Sequence, residues 1–329
     1  MNSVPEVSII IPTLNRAHYI GDAIKSILAQ TYYSWELLIV DNGSTDNTEA
    51  IVKDYAKVDP RVRYLREDRK GVSRARNTAL AEAKGVFIAF LDDDDLFLPE
   101  KLKIQTDYLK AHPEVDFVYG QIEIVNAQGD LLWVDPKKPV LTFADLFEES
   151  GIRIQSVMCR KSCFDSIGGF DETLTMGEDY DLWLRIAAKH RFEYLAVPFV
   201  KMRFHDTNTC NVPVPLYAQR DRLLKRVPTN PALGITASVK RRRLAINCYR
   251  LARLYKEDRQ YFPAARGFLS SVIQYPVIGL IAAEKLPVFK NLFSFSLVKP
   301  LFAAGFCFFK GCLSVDRKHR KVSLREDKE

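Results

Sequence analysis

Four consecutive carboxylates, Asp92-Asp93-Asp94-Asp95, follow directly on an apolar run, Phe87-Ile88-Ala89-Phe90-Leu91. Adjacent acids repel one another unless a cation sits among them. Oxygen-only ligands suit a hard ion, Mg²⁺ or Mn²⁺. Side chains alternate along an extended chain, so Asp92 and Asp94 are expected to point the same way and to share such an ion. The competing reading is a solvated acidic turn in which Asp95 caps the next helix. Two more stretches could join this chemistry. Asp41 closes the apolar run Leu37-Leu38-Ile39-Val40, and a carboxylate there can accept a hydrogen bond from a base N–H. Arg74 and Arg76 lie between the two acidic points and could reach phosphate.

The elements that position these groups follow from hydrophobic patterning. Val7 to Ile11 reads as a buried strand stopped at Pro12-Thr13, and Ile20, Ala23, Ile24, Ile27 and Leu28 fall at helical spacing behind it. Leu37–Val40 is a second strand, ending in the turn-rich Asp41-Asn42-Gly43-Ser44-Thr45-Asp46. Asp46 with Glu49 predicts a capping box for the helix bearing Ile51, Val52 and Tyr55. Val62–Leu65 is a third strand, and Gly71–Lys84 a helix with Val72, Ala75, Ala79 and Ala83 inward. The acidic run then ends a strand buried on both faces. Alternating strands and helices over the first hundred residues predict a parallel doubly wound sheet. In such sheets ligands bind beyond the carboxyl ends of the strands, where Thr13, Asp41 and Asp92–Asp95 would converge.

After Pro113 the pattern becomes that of a mixed sheet. Strands are expected at 117–119, 122–125, 131–134, 154–159, 192–197 and 200–204, with a hairpin turn at Ala127–Asp130 and a helix over Asp179–His190. From about Tyr217 the chain reads as helical. Leu244, Cys248, Leu251 and Tyr255 line one helix, and Ala264 to Tyr275 its antiparallel partner. Val277 to Phe289 and Leu292 to Leu313 are rich in Phe but broken by prolines and lysines. They fit helices lying in a membrane interface with snorkelling lysines, or a packed helical subdomain. The resulting division is a catalytic domain at 1–215, a helical hairpin extension at 216–275, apolar membrane-associated helices at 276–315 and a charged disordered tail at 316–329.

Composition narrows the function. The 329 residues carry a net charge of +7, with the basic clusters Lys240–Arg243 and Arg317–Lys321 in the second half. Such clusters suit an anionic surface, membrane or nucleic acid, or plain solvation. The six cysteines form no CxxC pair and no zinc spacing, which fits a reducing compartment. Val7–Ile11 is too short for a signal-peptide core, so a cytoplasmic location is expected. Gly43 stands alone, and the absence of GxGxxG and GxxxxGK disfavours Rossmann-cofactor and P-loop sites. What remains is a nucleotide-diphosphate pocket without a Gly-rich phosphate loop.

The motifs in order resemble the family 2 glycosyltransferases of the GT-A fold. They are Val7-Ser8-Ile9-Ile10-Ile11-Pro12-Thr13-Leu14-Asn15, Asp41–Asp46, Ala75-Arg76-Asn77, Phe90–Asp95, Gly168-Gly169-Phe170, Gly177-Glu178-Asp179-Tyr180-Asp181-Leu182-Trp183-Leu184-Arg185 and His205. The resemblance covers Val7 to about Asn208. It implies a GT-A fold, an inverting transfer from a nucleotide-sugar donor, and a dependence on Mn²⁺ or Mg²⁺. It further implies that Pro12, Thr13, Asn15, Asp41 and Arg76 bind nucleotide, with Asp41 on the base. Asp92 and Asp94 would be the DxD metal site, and Asp93 an alternative to Asp92 near the donor ribose. Asp179 would be the catalytic base, Glu178 its orienting neighbour, and His205 a further metal ligand. His205-Asp206-Thr207-Asn208 departs from the family's usual His-Pro-Gly-Ser at that place.

Residue chemistry agrees with these roles. Leaving pyrophosphate accumulates negative charge that a divalent ion and arginines offset. An attacking hydroxyl must lose a proton, which a carboxylate can take. One base and one displacement give inversion. Bland alternatives stay open: Asp179 as a helix N-cap, Asp181 paired with Arg185 at i,i+4, His205 as a structural histidine and Trp183 as core. The expected partners are a nucleotide-sugar donor, a saccharide or lipid-linked acceptor, and a membrane surface met through the C-terminal helices, with no nucleic acid. Two other functions compete. A sugar nucleotidyltransferase would want a Gly-rich basic N-terminal loop, which Ile11–Asn15 is not. A nucleic-acid binder leaves the acidic run unexplained.

Overall fold

The apolar runs form strands where β-branched residues cluster. The computed structural model describes residues 4–135, 139–148, 151–204, 213–257 and 261–274. Its first four strands are β1 (Val7–Thr13), β2 (Trp35–Asp41), β3 (Val62–Arg66) and β4 (Phe87–Phe90). They pair in parallel in the order β3-β2-β1-β4, as the alternation of strands and helices requires. The remaining strands among the described residues are β5 (Leu96–Phe97), β6 (Phe117–Val125), β7 (Leu131–Val134), β8 (Met158–Arg160) and β9 (Phe192–Arg203). The sheet continues from β4 as β8-β6-β9-β5, with β8 antiparallel to both neighbours and β7 added to β6 by a hairpin. It is the mixed α/β sheet expected of a GT-A fold.

Strand alternation divides the core in two. Ile9, Ile11, Leu37 and Ile39 face helix α1 (Ile20–Leu28), which buries Ile20, Ala23, Ile24 and Ile27, and α2 (Thr48–Val58). Ile10, Leu38, Val40, Ile88 and Phe90 face α3 (Val72–Glu82), whose Ala75 and Ala79 allow close approach to the sheet. The same side takes Phe147 of α5 (Phe143–Glu148), Cys163 of α6 (Ser162–Ile167) and Trp183 of α7 (Glu178–Ala187). Helix α4 (Lys101–Ala111) packs Leu102 and Leu109 into the first side.

Three local expectations change. Residues 154–159 are a 3₁₀ turn (Ile154–Ser156) and then a three-residue strand. The Ser156 carbonyl accepts from Gln105, and Gln155 is drawn inward to a buried carboxylate. The two strands expected at 192–204 are one, β9. Pro198, with no N–H to give, falls where the ladder to β6 slips at Gly120 and Gln121. A Cβ on Gly120 would lie 2.5 Å from the Phe199 ring, so only glycine fits there. Asp46 is no capping-box residue. Its carboxylate takes the Thr48 N–H and hydroxyl and the Ala17 N–H, while Glu49 pairs with Lys53 at 2.5 Å.

The chain divides into compact units between Asn247 and Cys248, within the long helix α9 (Ala237–Glu257), which follows α8 (Pro213–Arg226). In the second unit Ala252 of α9 packs with Ala264 of α10 (Tyr261–Gln274), flanked by Tyr249 and Tyr255. The Gln274 amide reaches the Cys248 sulfur at 3.6 Å. Among the described residues no helix is long and apolar enough to cross a membrane. The apolar helices expected at 276–315 and the tail lie outside the described residues.

Candidate active site

Three strand ends meet at one edge of the sheet. Thr13 stands opposite Asp41 in the β1–β2 register, and Ile10 opposite Phe90 in β1–β4. β4 stops at Phe90, and the acids occupy a turn closed by the Asp95 N–H on the Asp92 carbonyl at 3.1 Å. Strand alternation therefore does not govern their directions, as the sequence had suggested. Asp95 caps no helix: it leads into β5, and α4 starts after Glu100. Its buried carboxylate instead accepts from Gln155 Nε2 at 2.6 Å and from the Arg203 backbone N–H at 2.9 Å, tying the turn to β9. Burial, then the charges of Asp94 and Asp92, push that carboxyl well above the usual range.

The rest of the turn carries charge at the strand edge. Burial raises the Asp92 carboxyl, opposed by Arg76 and reinforced by Asp94 and Glu178. Burial pushes Asp93 up to about 7, with the Thr13 hydroxyl and Arg16 opposing and Asp94 and Asp92 adding. Asp92, Asp93 and Asp94 crowd one turn, two of them raised by burial, and offer the oxygen donors of a hard divalent cation, which would relieve the cost. The residues fit Mn²⁺ or Mg²⁺, with Asp92 and Asp94 to hold it and Asp93 the nearest substitute. His205, the expected additional ligand, lies outside the described residues.

Arg76 reaches in from α3, 3% exposed. It donates to Glu178 Oε1 at 2.7 Å and to Asp92 Oδ1 at 3.0 Å, and lies 5.4 Å from the Phe170 ring centroid. Its Nε has no hydrogen-bond partner among the described residues. Arg76 thus bridges the acidic turn and the start of α7. Its neighbour Asn77 grips the glycine loop: Oδ1 accepts the Phe170 N–H at 2.8 Å and Nδ2 donates to the Phe170 carbonyl at 2.9 Å. A Cβ on Gly169 would sit 2.3 Å from that Oδ1.

Gly177, at φ 75°, starts α7 in the left-handed region and so takes the N-cap place itself. Asp179 is the second residue of the helix, not its cap, and accepts the Tyr180 N–H at 2.7 Å. Burial, then the Glu178 charge, push its carboxyl up to about 6 against the pull of Arg76. That value suits a base near neutral pH. Asp181 pairs with Arg185 at 2.8 Å, and Arg185 also donates to the Ile167 and Gly169 carbonyls, so this pair is structural. Trp183 is fully buried and stacked on Phe117, a core residue.

On the nucleotide side, Asp41 is wholly buried. Oδ1 accepts the Ser44 N–H at 2.7 Å and Oδ2 the Tyr64 hydroxyl at 3.0 Å, which fixes the carboxylate plane. Asn15 has φ 55° and holds the Thr45 N–H at 2.8 Å; it braces the loop after β1 against the loop after β2. Pro12 and Thr13 form the end of β1, and the Thr13 carbonyl accepts the Asn42 N–H. The Asn42 amide bridges Glu67, Arg69 and Gly71, holding the segment before α3.

Several contributors escaped sequence reasoning. Asn42, Tyr64, Glu67, Arg203 and Arg16 support the site through contacts far apart in the chain. Only Arg16, next to Asn15 in the first motif, and Asn42, next to Asp41 in the second, had a local signal. A second group of metal-ligand types, Asp116, Cys163 and His190, also gathers among the described residues. It lies at the start of β6 and β9, the opposite edge of the sheet from the acidic turn.

Known proteins share the fold and the family. Residues 8–167 match the family model described as Glycosyl transferase family 2. The chain is 36% identical over 200 residues to UDP-Glc:alpha-D-GlcNAc-diphosphoundecaprenol beta-1,3-glucosyltransferase WfgD of Escherichia coli, covering 60% of this chain and 76% of that protein. The fold resembles S. aureus TarS 1-349 in complex with UDP-GlcNAc, at a TM-score of 0.57 and 20% identity over 81% of each chain. It also resembles the mannosyltransferase PcManGT from Pyrobaculum calidifontis in complex with GDP-Man and Mn²⁺, at a TM-score of 0.53 and 19% identity, over 92% of this chain and 80% of that one. With a GT-A fold and relatives that are glycosyltransferases, this chain belongs to glycosyl transferase family 2.

Proposed function

We propose that this glycosyltransferase moves a sugar from a nucleotide-diphosphate donor, a UDP-sugar, to a saccharide or lipid-linked acceptor with inversion at the anomeric carbon. The observation that carries the reading is the Arg76 bridge, which ties Asp92 of the acidic turn to Glu178 beside Asp179. Donor-side and acceptor-side carboxylates are thereby fixed to one buried guanidinium. The relative WfgD, named for a UDP-Glc donor and a diphosphoundecaprenol acceptor, supports both substrate classes. TarS with UDP-GlcNAc and PcManGT with GDP-Man and Mn²⁺ support the nucleotide and the metal.

The base and ribose lie against the ends of β1 and β2, where Asp41 keeps its orientation through Ser44 and Tyr64 and Asn15 braces the loop above. Asp92 and Asp94 would hold the divalent ion, which when bound would offset the charge on the leaving diphosphate. Asp179 receives the proton of the acceptor hydroxyl as that oxygen attacks C1 from the face opposite the leaving group. Arg76 holds Glu178 in place beside Asp179, whose carboxyl burial and then the Glu178 charge raise.

The acceptor side is the second half of the sheet. Leu131, Leu132, Trp133 and Val134 of β7 are all exposed, and Phe204 lies near Trp133 with ring centroids 6.5 Å apart. A lipid-linked acceptor would be met at a membrane surface, with the enzyme peripheral on the cytoplasmic face. The proline-broken apolar segments and the basic cluster Arg317–Lys321 supply two membrane signals in the sequence.

A panel of nucleotide sugars with Mn²⁺ or Mg²⁺, scored for slow donor hydrolysis and for UDP affinity by calorimetry, tests the reading. Equal UDP affinity with and without metal overturns it.

A further inference from the structure

Three arginines surround the acidic turn, and they are held very differently. Arg76 forms short, hydrogen-bonded contacts at 2.7 and 3.0 Å. Arg203 is anchored on Asp22 at 2.8 Å, with a longer contact of 3.4 Å to the Asp94 carbonyl. Arg16 stands apart. Its Nε lies 3.5 Å from Asp93 Oδ1 and its Nη2 3.9 Å from Asp94 Oδ2. Guanidinium–carboxylate forks close to about 2.7–2.9 Å when they act as structural clamps. The Arg16 side chain makes no such bond among the described residues and keeps 25% of its surface exposed.

Its backbone is the reverse, fully pinned. The Arg16 N–H donates to Thr48 Oγ1 at 3.0 Å, and its carbonyl accepts from Tyr19 at 2.9 Å and Ile20 at 3.0 Å as α1 begins. Asn15, just before it, is locked into the loop after β2. A long cationic side chain on a rigid base, loosely seated between two carboxylates, is suited to change partners. Arg16 also stands only three residues beyond Thr13, at the edge where the donor reading puts the diphosphate.

We propose that Arg16 is the resident counter-ion of Asp93 and Asp94, displaced when a divalent ion binds the turn and then free to pair with the donor diphosphate. Both cations draw on Asp94 and repel each other at close range, so guanidinium and metal compete for the turn. The displaced guanidinium finds its new anion only when the donor is present. Metal binding alone therefore works against Arg16, while metal and nucleotide together work with it. The exchange makes one residue a source of positive coupling between the two ligands. This rests on the nucleotide-sugar reading of the site.

The test measures Mn²⁺ binding to the full chain by electron paramagnetic resonance, with and without UDP, for the wild type and Arg16→Gln. Arg16→Gln is expected to bind Mn²⁺ about two- to fivefold more tightly without UDP, the worth of a loose, partly exposed ion pair. The gain in Mn²⁺ affinity on adding UDP should shrink by a similar factor. Arg16→Lys, which keeps the charge without the fork, should fall between them and guards against a folding defect in the first variant. Unchanged or weaker Mn²⁺ binding by Arg16→Gln without UDP overturns the proposal. Absence of any Mn²⁺–UDP coupling in the wild type overturns the donor reading itself, a separate outcome.

Discussion

Two clusters on opposite edges of one sheet contain metal-ligand residue types, and they differ in how their charge is met. At the N-terminal edge His190 Nδ1 lies 3.2 Å from Asp116 Oδ2, and its Nε2 lies 2.6 Å from Ser166 Oγ. Asp116 also accepts the Arg191 N–H at 3.0 Å. Burial, then the Asp116 charge, push the Cys163 thiol up to about 12, away from the thiolate a metal needs. That cluster is closed upon itself. At the C-terminal edge burial, with the charges of Asp94 and Asp92 adding, pushes Asp93 up to about 7. Proximity of ligand types does not make a site; buried carboxylates crowded at open strand ends do.

The sharpest way to break this comparison is at Asp179. Asp179→Asn keeps the shape and removes the base, and a loss on the order of 10²–10⁴-fold in turnover is expected with UDP affinity retained. Asp181→Asn, two residues on and paired with Arg185, should leave turnover within a few fold. Steady-state rates and calorimetry on both variants check this, and similar losses in the two would demote Asp179 to a structural acid.

Next in size is Asp94→Ala. It should erase the UDP affinity gained on adding Mn²⁺, roughly 100-fold if a ligand matters at least as much as the groups that orient ligands. His190→Ala at the other edge should leave that gain intact. Loss of the gain in His190→Ala would mean the closed cluster, not the acidic turn, holds the ion.

The pH profile sharpens the same contrast. Asp179 must be ionised to accept a proton, and its carboxyl is raised to about 6. Turnover should therefore fall about tenfold per unit as the pH drops below about 6, in the direction of protonation. An unraised carboxyl would place that limb near the ordinary aspartate value, about two units lower.

His190→Ala should instead act on stability. It leaves Ser166 and the half-buried Asp116 short of a partner each, at a cost of about 1–2 kcal/mol. A melting curve reads this, and an unchanged midpoint would show that the cluster is not a structural pair.

The first half of the sheet was legible because each strand announced itself by a continuous apolar run and each motif sat at its end. Thr13, Asp41 and the Asp92–Asp95 run could be brought together by topology alone. What the sequence could not supply were the contacts closed over long separations: Arg203 to Asp95 across 108 positions, Arg76 to Glu178 across 102, Asn77 to Phe170 across 93. The acidic turn itself was misjudged as extended strand, because four like residues carry no signal of where the strand stops. Asp95 looked like a helix cap for the same reason, and only Gln155 and Arg203 reveal it as a buried tie.

The second half of the sheet offers the smallest predicted effect and the most selective one. Of the three tryptophans, Trp35 and Trp183 are 2% and 0% exposed, while Trp133 on β7 is 48% exposed. Intrinsic emission on adding lipid therefore reports on the hairpin alone. Both faces of β7 are apolar and open, since Leu131 and Trp133 alternate with Leu132 and Val134, and none packs into the core. Aromatic rings with one polar group settle at the headgroup level of a bilayer. If the acceptor is met at a membrane, vesicles containing anionic lipid should shift Trp133 emission to the blue, and brominated acyl chains should quench it. Trp133→Phe should lose both signals without loss of UDP binding. Attachment through the C-terminal segments alone would sediment the protein with vesicles and leave the emission unmoved, separating an enzyme tethered near the membrane from one whose acceptor side touches it.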